Sequence, residues 1–507
     1  MALRVTQQML YGTVINQNNA SLARLMATNE QASTQKRINA PSDDPNGAVQ
    51  VLGTRTDLSQ LGQYQSNITS AKGWLNQADS TLSSTSTLIT TIKSYAEQAA
   101  TGTVTQENRN EIATQIRQYF GQLISLANTT YNGDSIFAGQ KTNTAAYTQG
   151  LWMNSNDATF DAAVSASGGF AISGGSDETV LVQFMGTDPT NYQPAFQYSS
   201  DGGTTWNNGT YATAPGASSQ TLNLGSGLTM DLDANALTNV TACADHNDSD
   251  GTWMWIRPTA VYQGNTNQDV TVFSVDTGGG TATASASGTF SGNVMVRMDD
   301  TSGPQYQYSY STDGGTSWVT GNTSSNIGPP TTLAVPGGLL TITAGAPADG
   351  DQFFIQPSTA DIPIGISPTD SVVVNGVGTE IFGGIDNNRA VTFSGSNAGN
   401  LFETVGKLVG YLETNNQHGI QNCLDDLTAS QNQVLVAASS VGARENRVTS
   451  AGTMVTTLQE NATSTLSNVE DADLTALITT LSEQELAYQA VLKSSSMVMD
   501  MSLVKYI

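Results

Sequence analysis

The chain has 507 residues, enough for several domains, and 43 Asp and Glu against 18 Lys and Arg give it a net charge of −25. Only 12% of residues are charged, against ~25% in a typical soluble domain, so its surface is polar through Ser, Thr, Asn, Gln and Gly. Residues 151–399 hold 22 acids and three cations, Arg257, Arg297 and Arg389, which excludes binding to nucleic acid or anionic lipid, since both need clustered positive charge.

No run of 18 apolar residues is present, so no helix is expected to be inserted in a membrane. The start, "MALRVTQQMLYGTV", lacks the apolar centre of a cleaved signal. The expectation is a cytosolic protein or one exported without cleavage. Cys243 and Cys423 lie in segments of different character, and no disulfide framework is expected.

Residues 1–45 read as a helical assembly segment. They include "INQNNAS", too polar to hold a helix by packing alone, so this end is expected to be poorly ordered in the isolated subunit. "QKRINAPSDDPNGA" (35–48) reads as a helix end, a turn at Pro41, and two acids before a new helix with Pro45 in its first turn. Residues 46–145 form the first half of a helical rod. Leu61, Ile68, Leu75, Leu82, Ile89 and Ala96 recur every seven residues, with Tyr64, Ala71, Ala78, Thr85, Ile92 and Ala99 as the second heptad position. Gly102 and Thr103–Thr105 supply a stop and a cap, and a second helix follows with Ile112, Ile116, Tyr119, Leu123 and Leu126 on one face.

From about residue 146 the pattern changes to short alternating runs such as "TVLVQF", "DVTVFSV" and "GNVMVRM", which read as strands. A first β module is expected over 146–260, a second over 261–360, and a β-rich return over 361–400. Residues 401–470 form the second half of the rod, with Val441, Val448, Val455, Ala462 and Val469 spaced by sevens. Residues 471–507 form the C-terminal helical assembly segment, whose ladder of Leu474, Ile478, Leu481, Tyr488 and Leu492 continues almost to Ile507. The fold class is α+β and multidomain. A long antiparallel helical or coiled-coil rod from both termini carries an inserted all-β head of two related modules; two independent bundles are the alternative.

The relation between the modules rests on "YSSDGGTTWNNG" (198–209) and "YSTDGGTSWVTG" (310–321), identical at eight of twelve positions. Both are followed by D-G-x-x-x-x-I-x-P, at 250–258 and 349–357. The pattern S-x-D-x-G-x-[ST]-W resembles the Asp box of sialidases and related propellers. Two copies cannot make a propeller of four or more blades, and the arginine cluster of sialidases is missing. The motif is expected to be a hairpin turn: Asp caps turn amides, Gly takes the awkward backbone conformation, and Trp packs below.

No catalytic, cofactor-binding or metal-binding residues are assigned. "DHNDSDG" (245–251) resembles a calcium loop, but His246 stands where a carboxylate is wanted and Arg257 where the bidentate Glu belongs. Cys243 and His246 are half a zinc site without a second pair. With two His, no G-x-S-x-G and no Gly-rich phosphate loop, neither nucleophilic nor nucleotide chemistry has a candidate.

"QKRINAPSDDP" (35–45), "RVTQQMLY" (4–11), "DSIFAGQKT" (134–142) and "NLFETVGKLVGYLE" (400–413) resemble, in order, segments of the flagellin superfamily, in its hook-associated protein 3 branch. The resemblance covers roughly 1–145 and 365–507; Gln35 departs from it, standing where the family usually has Gly. It implies a non-enzymatic subunit of the bacterial flagellum at the hook–filament junction, exported by the flagellar type III apparatus with a chaperone. Its implied partners are further copies of itself in a ring, hook-associated protein 1 and flagellin. Flagellin itself is the nearer alternative, and an extracellular glycan-binding or sialidase-like protein the remote one.

Overall fold

The computed structural model describes residues 7–166, 169–246, 248, 250–267, 270–277, 279–288, 290–325, 330–393 and 399–503. The expected segment ends at 1–6 and 504–507 lie outside the described residues. In chain order the helices are α1 (Gln7–Thr34), α2 (Pro45–Ala99), α3 (Gln106–Ala127), α4 (Ala158–Ala166), α5 (Ala234–Leu237), α6 (Gly378–Ile381), α7 (Leu401–Glu413), α8 (Gln417–Glu470) and α9 (Leu474–Leu503). The chain divides into two compact units: 1–70 with 365–371 and 447–507, and 71–364 with 372–446.

In the first unit α1 packs on α9, and the start of α2 packs on the end of α8, where Ile38, Ala48 and Val51 bury with Leu466 and Val469. The elbow between α1 and α2 follows from the sequence. Asp44 caps α2, accepting the Gly47 amide at 3.0 Å, and Pro45 takes the first helical position, where its missing N–H costs nothing. Asp43 accepts the amides of Asn39 and Ala40 at 3.0 and 2.8 Å, closing the Pro41 turn.

The helices of the second unit follow the heptads. From residue 71 onward each quoted α2 heptad position is buried, as are Val441 on α8, and Ile112, Ile116 and Leu123 on α3; Phe120 and Ala127 join that face, while Tyr119 and Leu126 are half-buried. α2 and α8 run antiparallel here: Gln431 donates to Thr90 at 2.9 Å and Lys93 to Thr428 at 2.7 Å. Thr105 caps α3 as expected, accepting the Asn108 amide.

The strand part of this unit is two sandwiches with one topology. In the first, strands Tyr147–Ser155, Trp253–Tyr262, Val180–Phe184, Phe196–Ser199 and Asn207–Asn208 are neighbours in that order. They face a sheet ordered Phe170–Ser173, Thr229–Asp233, Ser219–Asn223, Thr210–Tyr211. In the second, Val270–Val275, Gln352–Pro357, Val294–Asp300, Gln307–Ser311 and Val319–Thr323 face Thr283–Gly288, Gly338–Ala344 and Thr331–Val335, in the corresponding order. Cores match by register. Met254 pairs Val182 as Phe353 pairs Val296, and Phe184, Phe196 and Ile256 are matched by Met298, Tyr308 and Ile355. The modules are duplicates in three dimensions. The first carries two additions: α4, and α5 with the loop after it.

Candidate functional site

The two Asp-box hairpins hold the same hydrogen bonds. Ser199 donates to Asp201 and Ser311 to Asp313, each at 2.8 Å. The amides of Thr205 and Ser317 donate to those carboxylates at 2.9 Å, and Trp206 and Trp318 donate Nε1–H to Gly203 and Gly315 carbonyls at 3.0 Å. Gly202, Gly203, Gly314 and Gly315 all have positive φ, between 71° and 90°. Hydrogen bonds from Ser317 and Ser311 lower the Asp313 carboxyl to about 2. Every polar group of the Asp is spent on its own turn, so the motif is structural.

The calcium-like loop is also spent internally. His246 stacks on Trp206 at 4.3 Å and 4°, with Nδ1 2.8 Å from Gln183 Oε1. Asp248 accepts the amides of Ala244 and Asp250 at 2.7 and 2.9 Å. Asn247 and Ser249 lie outside the described residues. Arg257 is fully buried and paired with Glu403 of α7. Cys243 faces the Thr252 carbonyl, burial pushes its thiol up, and burial pushes the Cys423 thiol up to about 12. Among the described residues no three His, Cys, Asp or Glu side chains converge as a metal site would require.

The chemistry that is not spent internally lies on the terminal helices. Every third or fourth residue of α1 from Tyr11 through Val14, Asn18, Ser21, Leu25, Thr28 and Ala32 turns inward, and on α9 Leu477, Leu481, Gln484, Tyr488, Val491 and Ser495 do so. Thr28 donates to Gln484 at 2.9 Å across this seam. The seam is polar for a coiled coil, and Asn18 Oδ1 is buried in it without a hydrogen bond.

This corrects the ladder expected for the C-terminal segment. Leu481 and Tyr488 line the seam, but Leu474, Ile478 and Leu492 are 47%, 56% and 42% exposed. At 100° per residue these three lie on one flank of the α9 seam, and exposed Ile15, Leu22 and Met26 lie on the same-handed flank of α1. Because the helices are antiparallel, both flanks open to one side, where these six apolar side chains alternate with exposed Asn19, Glu30 and Glu485. Exposed large apolar side chains gathered on one side of a helix pair are the surface chemistry from which protein contacts are built.

The elbow holds the root of this pair. Gln35 takes φ +58°, and its carbonyl accepts the Ala472 amide at 3.0 Å, while the Arg37 amide donates to the Glu470 carbonyl at 2.7 Å. Glu470 is buried and bridges Lys36 and Arg55. Burial alone would raise its carboxyl, but hydrogen bonds from Lys36 and Arg55 outweigh that and hold it below the usual range. Asp473 then caps α9, accepting the Thr475 amide at 2.9 Å.

The "IFAG" stretch belongs to the second unit. Ile136, Phe137 and Ala138 are buried, and Gly139 has φ +66°, where a Cβ would stand 2.5 Å from the Asn265 carbonyl oxygen. α7 closes the first module: Gly406 and Gly410 let it lie against strand Trp253–Tyr262, and Glu413 takes Arg117 in a two-pronged pair at 2.6 and 2.8 Å. A polar cleft of about 670 Å³ beside that pair is lined by Glu178, Ser200 and Asp201 among others. Sequence reading did not anticipate this docking, although the Glu-x-x-Gly-x-x-x-Gly-x-x-Glu spacing of residues 403–413 carries it.

Comparison with known proteins adds a similarity to flagellar proteins. Residues 5–142 match the profile of the bacterial flagellin N-terminal helical region. Flagellar hook-associated protein 3 of Salmonella typhimurium and that of Escherichia coli K12 are each 36% identical over 148 residues, 29% of this chain and 47% of theirs. Flagellin A of Helicobacter pylori is 33% identical over 138 residues, 26% of this chain and 27% of its own. The chain thus spans about half the length of the hook-associated relatives it matches. Among solved structures, a putative flagellar hook-associated protein from Vibrio parahaemolyticus aligns over 85% of this chain and all of its own, at 13% identity and a TM-score of 0.39. The "QKRINAPSDDP" elbow and the "IFAG" stretch both lie inside residues 5–142, the part of the chain that matches the flagellin N-terminal helical region.

Proposed function

We propose that this protein is a non-enzymatic structural subunit of the bacterial flagellum that forms the hook–filament junction. It assembles in a ring with copies of itself, between hook-associated protein 1 on the hook side and flagellin on the filament side. It reaches that place outside the cell through the flagellar type III export apparatus, delivered by a chaperone. The observation that carries this reading is the set of exposed apolar side chains on one side of α1 and α9, together with the similarity over 148 residues to hook-associated protein 3. The segments 1–45 and 471–507 carry the assembly, and the β modules 146–260 and 261–360 are accessory to it.

The test separates the face from the seam. Ile478→Asp with Leu492→Asp leaves secretion and the α1–α9 pairing intact and abolishes filament attachment in cells lacking the native protein, scored by motility and by electron microscopy of hook tips. Complementation also distinguishes the flagellin reading, since a filament subunit restores filament length to a flagellin-deficient strain and a junction protein does not. Normal filaments in cells carrying the double variant overturn the proposal.

A further inference from the structure

At the elbow one carboxylate is shared by two cations that stand on different sides of the bend. Glu470 is 2% exposed at the last position of α8, where the helix dipole disfavours an acid. Lys36 and Arg55 both reach its Oε1, with side chains 41% and 48% exposed. Arg55 belongs to α2, whereas Lys36 lies two residues beyond α1, in the linker. There it forms an isolated β-bridge with Asp471 of the linker between α8 and α9. The two rungs of this bridge are unequal. On the α2 side the Arg37 amide donates to the Glu470 carbonyl. The Arg37 guanidinium is fastened to the Val469 carbonyl at 2.7 Å and to Asp44 at 3.2 Å, and Ile38 is buried with Val51, Leu466 and Val469. On the α1 side the Ala472 amide donates to the carbonyl of Gln35, which holds φ +58°, a backbone conformation that strains any residue with a Cβ.

We propose that the elbow is a latched hinge: the α1–α9 pair swings about residues 35–36 and 471–472 when Lys36 releases Glu470, and Arg55 is the standby cation that permits the release. A buried carboxylate that loses its one cation is strongly destabilised, and that is the situation of Glu403 with Arg257 on the first module. Glu470 is placed differently. Two positive heads on the same oxygen repel each other, so the second adds less than the first. When Lys36 leaves, the carboxylate keeps Arg55, the ammonium returns to water, and Gln35 is freed from positive φ. Opening therefore gives up the Ala472 hydrogen bond and one half of a shared ion pair, while the Arg37 rung and the Ile38 cluster stay with α2 and α8.

Hydrogen exchange of the full chain, read by residue-resolved mass spectrometry, tests the hinge through the Ala472 amide. The Val51 amide reports opening of the whole α2–α8 end and serves as the reference. Lys36→Gln is expected to speed Ala472 exchange roughly tenfold relative to Val51. Arg55→Gln is expected to slow it by a similar factor, since opening then strands Glu470. A carboxylate that merely fastens the elbow loses protection with either change, so opposite signs from its two partners distinguish a latch. Any other pattern, above all a speed-up from both variants, overturns the inference. If Arg55→Gln removes the protection of Val51 as well, Gln35→Gly decides, because it relieves the strain and touches no charge. It is expected to slow Ala472 exchange roughly fivefold, and an unchanged or faster rate overturns the hinge.

Discussion

Replacing Glu403 with Ala isolates the contact that fixes α7 to the first module. The Arg257 guanidinium is fully buried, donating to Glu403 Oε2 at 2.5 Å, Asn154 Oδ1 at 2.6 Å and the Pro258 carbonyl at 3.2 Å. The other Glu403 oxygen accepts the Thr259 hydroxyl at 3.0 Å. Removal leaves a cation out of reach of water with two neutral acceptors, and strands the Thr259 hydroxyl as well. A buried pair broken from one side costs about 3–5 kcal/mol, and the hydroxyl adds on the order of 1 kcal/mol. Glu403→Gln keeps one acceptor and is expected to cost about half as much as the Ala change. Arg257→Met with Glu403→Leu removes both charges and is expected to recover most of the loss, because the desolvation penalty goes with the charges. Urea denaturation followed by tryptophan fluorescence measures all three, since Trp255 packs 6.1 Å from Tyr411 of α7. A loss below about 1 kcal/mol for Glu403→Ala, or a double variant less stable than the single, refutes the reasoning.

Gln35→Gly is expected to stabilise the first unit by about 1 kcal/mol, because a side chain at positive φ costs roughly that much and Gly does not; thermal unfolding checks it. Gly406→Ala places a Cβ 2.3 Å from the Pro258 carbonyl oxygen, and is expected to destabilise the second unit by about 1–3 kcal/mol in the same denaturation assay. The carboxyls of Asp43, Asp44 and Glu470 all sit below their ordinary values. Their contribution is therefore complete above the usual carboxylate range, near pH 4, and is lost as pH falls through their lowered values. Hydrogen exchange at pH 3 against pH 6, corrected for intrinsic rate, should show protection falling at residues 35–48. At neutral pH in a dilute monomer, amides of α1 should exchange far faster than those of residues 71–99 of α2, because its seam holds Asn18, Ser21 and Thr28 where the other holds Leu75, Leu82 and Ile89.

The parts of the fold legible in the sequence were those where one interaction dominates. Heptads over 68–99 set a buried face by periodicity alone, and Asp44-Pro45 set a helix start by capping alone. The Asp-box hairpins are closed by their own hydrogen bonds, so their repetition announced a repeated structure. The C-terminal segment was different. α9 is apolar on two faces, and a hydrophobic ladder does not say which of two stripes meets its partner within the subunit. The ladder through Leu474, Ile478 and Leu492 mixed the seam with the outward face for that reason. The strain at Gln35 is not legible in the sequence, because the need for positive φ comes from where the chain must go after α1, which is a property of the elbow and not of any one residue. The docking of α7 was hidden as well, since its determinants, Glu403 and Arg257, stand 146 residues apart.

Comparison of the twin modules also bears on where new binding can arise in such a head. Each hairpin tryptophan leaves a ring face that must be covered, and the two copies solve this differently. The first recruits His246 from the loop after α5, and the second turns Arg297 of the neighbouring strand over Trp318. Neither solution disturbs the hairpin, because Asp201 and Asp313 bond only within their own turns. The frame is therefore indifferent to what lies outside it. The first module bound a helix of its own chain by placing Arg257 at the centre of its outer face, where only a buried carboxylate can satisfy it. In the second, Gln356 follows Phe354 as Arg257 follows Trp255, and the cation, Arg297, sits at the rim, partly in water and paired with Asp299 at 3.0 Å. The difference in charge placement thus separates a buried pair between a sheet and a helix on one copy from a half-exposed pair within a single strand on the other.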